Sequence, residues 1–98
     1  MEITVSKNEN TLTISPIGRI DTATAPELQT AVNENISGVT DLTFDLKQLQ
    51  YISSAGLRVL MSTQKTMNQQ GSMKLIHVNE EVMDVFDMTG LTDVFDIE

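Results

Sequence analysis

Two adjacent serines, Ser53 and Ser54, sit in the most informative stretch of this sequence, Tyr51-Ile52-Ser53-Ser54-Ala55-Gly56-Leu57. A serine where a connection runs into a helix has two uses. Its hydroxyl can cap an orphan N–H group of the first helical turn. It can also carry a phosphate, because helix N-terminal amides point outward and the macrodipole favours an anion there. Nucleophilic catalysis is a more remote third use. Ser54-Ala55-Gly56 is only half of a G-x-S-x-G elbow, with Ile52 where the first glycine belongs. The base for such a nucleophile would have to be His77, the single histidine, which the residue pattern places inside a strand. A serine esterase-like enzyme is therefore the remote alternative.

Other chemistry is poorly provided for. Neither G-x-x-x-x-G-K-[ST] nor G-x-G-x-x-G occurs, so nucleotide binding by this chain alone has no motif behind it. With no cysteine and one histidine the usual transition-metal sites cannot form, and neither a metal nor a cofactor is expected. Fourteen acidic residues against six basic ones give a net charge of −8. Half of the acid lies between Glu80 and Glu98, with no Lys or Arg after Lys74. Those acids lack EF-hand spacing and read as a solvated face. Such a surface repels phosphate backbones and anionic lipid, so nucleic acid is not an expected partner. The charge serves solubility, with a basic partner surface as the sharper alternative. The start of the chain lacks the basic-then-apolar pattern of a signal peptide. No run approaches the ~18 apolar residues of a membrane span, so no membrane insertion is expected. Together with the missing cysteines this points to the cytoplasm. Asn35-Ile36-Ser37 matches a glycosylation sequon by chance.

The elements that must position the serines are legible. A chain of 98 residues suits one domain spanning 1–98. Ile3 and Val5 alternate with polar residues, Lys7-Asn8-Glu9-Asn10 supplies a turn, and Leu12, Ile14 and Ile17 continue a second strand that Gly18 ends. Thr24-Ala25-Pro26-Glu27 has the form of a capping box, and Leu28, Ala31, Val32 and Ile36 fall on one helical face before Gly38. Leu42, Phe44 and Leu46 make a central strand, and Gln48 to Ile52 connects onward. The spacing predicts a second helix from Ser53-Ser54 to about Gln69, with Leu57, Leu60, Met61 and Met67 inward and Arg58, Lys65 and Gln69 solvated. In this reading Ser54 caps that helix. Gly71 stops it. Met73 to Val78 is a strand, Asn79-Glu80-Glu81 opens a third helix faced by Val82, Val85 and Phe86, and Val94 to Ile97 forms a short last strand. Most methionines read as core filling, Met83 and Met88 being the exceptions to watch. The order β-β-α-β-α-β-α-(β) predicts an α/β domain with about three helices on a mixed sheet of four to five strands, parallel where helices cross over.

Three segments in this order resemble the STAS domain of bacterial anti-sigma factor antagonists. They are Gly18-Arg19-Ile20-Asp21 before a helix, Ile52-Ser53-Ser54-Ala55-Gly56-Leu57-Arg58-Val59-Leu60 after a strand, and Val85-Phe86-Asp87-Met88-Thr89-Gly90-Leu91 near the end. The resemblance covers essentially the whole chain. It implies a non-enzymatic protein that binds an anti-sigma factor serine kinase of the histidine-kinase-like ATPase fold and so releases the sigma factor. Phosphorylation of one loop serine ends the binding, and a serine phosphatase restores it. By position that serine is Ser54. Many phosphorylated members have Asp just before it, where this chain has Ser53, so Ser53 is the alternative acceptor. Asp21 matches a family acidic residue near the site, and Asp21, Ser53, Ser54, Ala55, Gly56 and Arg58 are the expected partner-binding positions. The alternative within the same family is a non-phosphorylated subunit of a transport or scaffold complex.

Overall fold

Alternating residues build the opening hairpin in the computed structural model, which describes residues 1–98. Strand β1 (Glu2–Asn8) pairs antiparallel with β2 (Thr11–Ile20), from Glu2 opposite Ile17 to Asn8 opposite Thr11. Leu12, Ile14, Pro16 and Ile20 of β2 point to the core, while Thr13 and Ser15 between them face the other way. Gly18, with φ +99°, does not end this strand; it is the point where the chain changes neighbours.

Helix α1 (Ala25–Asn35) buries Ala25, Leu28 and Val32. Strand β3 (Asp41–Asp45) lies parallel to the first half of β2. The connection expected after it contains a further strand, β4 (Leu49–Ile52), parallel to the last residues of β2. Gly18 pairs with Leu49 and Arg19 with Tyr51, so Gln50 is an extra residue on the β4 side. That bulge lets Leu49 and Ile52, three apart, both face the core. It also breaks the period-two signal by which a strand is read from sequence.

Helix α2 (Ser54–Gln70) leads to β5 (Ser72–Ile76), which pairs parallel with β3. Helix α3 (Glu80–Thr89) follows, and β6 (Asp96–Ile97) closes the edge beside β5. The six strands run β1-β2-β3-β5-β6, with β4 beside β2, and only β1 is antiparallel. Asn79 caps α3 as expected, its Oδ1 accepting from the Val82 amide at 2.9 Å. Its Nδ2 donates to the Leu49 carbonyl at 2.7 Å, tying α3 to β4. Gly90 ends α3 in the left-handed conformation at φ +73°.

One cluster of 21 buried apolar residues joins the helices to the sheet, with Phe44, Leu60, Leu75 and Phe86 at zero exposure. Two side chains depart from the expected pattern, Met61 and His77. Met61, expected inward, is exposed, whereas Met88, already set apart from the core-filling methionines, is 86 % exposed. His77 lies beyond β5 rather than inside it, at φ +57°.

Candidate phosphoacceptor site

Strands β2 and β4 end side by side, with Ile20 opposite Ile52. The Ser53 amide donates to the Ile20 carbonyl at 2.8 Å. The turn that starts at Asp21 and the helix that starts at Ser54 therefore leave one corner of the sheet, at the carboxyl ends of parallel strands. Sites in open α/β sheets form at such corners. Helix α2 comes down hard on this corner. A Cβ on Gly56 would stand 2.6 Å from Ile20 Cγ2 and 2.7 Å from Ile52 Cγ1. Only glycine lets the first turn sit this close.

The two serines divide the roles that the sequence left between them. Ser53, not Ser54, is the cap: its backbone is extended (φ −92°, ψ 176°) and its Oγ accepts from the Gly56 amide at 3.4 Å. Its carbonyl accepts from the Leu57 amide at 3.0 Å. Ser54 is the first helical residue, is exposed, and takes no part in that cap. Ala55 is half-buried and Arg58 exposed. Gly56 is buried, so it shapes the site without presenting a surface.

Asp21 is the organiser of the neighbouring turn. Its Oδ1 accepts from the amides of Ala23 at 2.9 Å and Thr24 at 3.0 Å. The Thr24 hydroxyl accepts from the Asp21 amide at 2.8 Å and lies 2.9 Å from the Arg19 carbonyl. The expected capping box is thus not formed. Thr24 has helical dihedrals and makes no side-chain cap. The first-turn amides of Ala25 and Glu27 donate instead to the backbone carbonyls of Asp21 at 2.8 Å and Thr24 at 3.0 Å. The Asp21 carboxylate holds the two amides just before the helix. The Thr24 amide is the main reason that Asp21 titrates below the usual carboxylate range, with the Thr24 hydroxyl, the Ala23 amide and the Arg19 charge adding to it.

Two further residues at this corner stand outside the expected binding positions. Arg19 and Tyr51 are register partners, and the Arg19 guanidinium lies 4.5 Å from the centre of the exposed Tyr51 ring. Each sits two residues before a site residue, Asp21 or Ser53, on paired strands, a relation visible only once the β2–β4 register is known. His77, the base an esterase would need, has its Nδ1 2.8 Å from Asp45 Oδ1.

Two strand ends, a carboxylate-organised turn and a helix presenting an exposed serine define a small α/β domain with its candidate site at one corner of the sheet. The chain belongs to the STAS domain family, whose profile matches residues 2–98. It is 36 % identical over 98 residues to the anti-sigma-B factor antagonist of Bacillus subtilis (strain 168), covering 99 % of this chain and 90 % of that protein. Among solved structures it is similar to an anti-sigma factor antagonist from Mycobacterium paratuberculosis, with a TM-score of 0.88 at 23 % identity over 98 % of this chain and 83 % of the other. It is also similar to the Bacillus cell fate determinant SpoIIAA in its phosphorylated form, with a TM-score of 0.76 at 16 % identity over 99 % and 91 % of the two chains. These structural likenesses establish the fold. No helix is long and apolar enough to cross a membrane.

Proposed function

We propose that this chain is an anti-sigma factor antagonist switched off by phosphorylation of Ser54. In its unmodified form it binds an anti-sigma factor serine kinase of the histidine-kinase-like ATPase fold in the cytoplasm and so releases the sigma factor. The kinase transfers the γ-phosphoryl group of ATP to Ser54. The Oγ–P bond forms, the bond to ADP breaks, and the hydroxyl proton is lost. A serine phosphatase hydrolyses the ester and restores binding.

One observation carries the choice of serine: Ser53 Oγ is engaged as the cap, whereas Ser54 is exposed and outside the cap. The near full-length relative from Bacillus subtilis, an anti-sigma-B factor antagonist by name, supports the role. SpoIIAA, solved in a phosphorylated form, supports the switch. The magnitudes agree with a switch that spares the fold. An anion at an exposed helix N-terminus gains about 0.3–1 kcal/mol, so the modified domain stays folded. The same ~1.5–2 negative charges left uncompensated in an interface cost about 2–5 kcal/mol. At about 1.4 kcal/mol per tenfold, that weakens binding by one to more than three orders of magnitude.

Purified protein incubated with Mg-ATP and an anti-sigma factor kinase gains a single phosphate, located at Ser54 by fragmentation mass spectrometry. Ser54→Ala gains none. A phosphate on Ser53, or none on the wild type, overturns the reading.

A further inference from the structure

The charges of this chain are sorted by helix. α1 carries Glu27 and Glu34 without a basic residue, and all the charges of α3 are acidic. α2 carries Arg58 and Lys65 and no acid at all. In a chain of net charge −8 one helix is thus purely cationic. The ion pairs of the structure join the Met1 amino group to Glu27 and His77 to Asp45. Neither arginine is in one. Arg19 lies against the Tyr51 ring, and Arg58 is exposed four residues after Ser54.

Residues four apart on a helix share a face one turn apart. An acid placed N-terminal to its base is the favourable order of such a pair. A guanidinium matches a phosphate with two parallel hydrogen bonds, which an ammonium cannot do. We propose that Arg58 is the phosphate receiver of Ser54, holding the phosphoserine in cis along the first turn of α2. The inference rests on the phospho-switch reading above and names what the modification does to the surface. Before modification Arg58 is a free cation beside the serine, open to an acidic group of a partner. Afterwards it is occupied, so one phosphate both adds negative charge and withdraws the positive charge next to it. Arg19, held on Tyr51, is the bystander.

The test uses the full chain with phosphoserine placed genetically at position 54, followed by ³¹P NMR through a pH titration. The second ionisation of phosphoserine lies near pH 6, and an adjacent cation favours the dianion and lowers that midpoint. The expected midpoint is about half a pH unit lower with Arg58 present than in R58A, with R58K between the two. R19A matches the parent, and about 1 M salt shrinks the R58A difference. Equal midpoints for the parent and R58A, or a shift in R19A alone, overturn the proposal. Should R58A fail to fold, R58K decides: a raised midpoint supports the two-pronged contact and an unchanged one overturns it. Because no kinase is used, this outcome is separate from that of the function. A kinase that leaves Ser54 unmodified defeats the switch without touching the titration.

Discussion

The Ser53 amide and the Ile20 carbonyl are 2.8 Å apart, so the cap of α2 hangs directly from the last residue of β2. Everything at the site follows from that bond. It fixes the start of the helix against the strand that delivers Asp21, and it occupies the backbone of Ser53 while Ser53 Oγ serves the Gly56 amide.

The two serines should separate in a stability measurement. Ser53→Ala removes a helix cap and is expected to cost about 0.5–1 kcal/mol, the lower part of the usual range because the bond is long at 3.4 Å. Ser54→Ala changes an exposed side chain outside the cap and should stay within about 0.5 kcal/mol of wild type. Urea denaturation of both variants checks this. Equal losses would mean that the capping role is shared.

Two glycines are expected to resist alanine for different reasons. At Gly56 the new Cβ meets side-chain atoms of Ile20 and Ile52, which can shift, so Gly56→Ala should cost roughly 1–3 kcal/mol. At Gly71 it meets the Thr40 carbonyl oxygen at 2.0 Å, and a backbone cannot step aside. Gly71→Ala should therefore lie at or above about 3 kcal/mol. A smaller loss at Gly71 than at Gly56, read from chemical denaturation, would contradict this packing.

Asp45 gives a pH test. The hydrogen bond from His77 is the largest reason its carboxyl titrates below the ordinary range, followed among the favourable causes by the Lys47 amide. A depressed folded-state pKa means that the group stabilises the fold above its unfolded value, near 3.9, and that this contribution is lost as pH falls through the folded value. His77→Ala should bring the Asp45 midpoint upward in a carboxyl ¹³C titration. The stability gap between wild type and His77→Ala should also close as the solution is acidified through that range. A gap that widens on acidification would refute the assignment.

Asn79 serves two elements through one amide. Asn79→Asp keeps the oxygen that caps Val82 but loses the donor to the Leu49 carbonyl, whereas Asn79→Ala loses both. The expected order of stability is wild type, then Asp, then Ala, the last about 1–2 kcal/mol below wild type. Thermal unfolding of the three proteins would show it, and Asp falling at or below Ala would be the contrary result.

What the sequence determined by itself was local. Period-two alternation gave β1, β2 and β3, period-3.6 patterning gave the three helices, and Asn79 marked the start of α3, because each is a property of neighbours along the chain. The family resemblance of the segment around Ser54 was legible for the same reason. The tertiary structure decided what depends on register and contact. β4 was hidden because a bulge at Gln50 spaces Leu49 and Ile52 at an interval that fits no simple strand pattern. The capping box at Thr24 lost to Asp21, whose carboxylate reaches two amides once the turn closes. Two serines alike on paper became a cap and an exposed hydroxyl, because the sheet edge at Ile20 fixes the extended backbone of Ser53 and leaves Ser54 to start the helix.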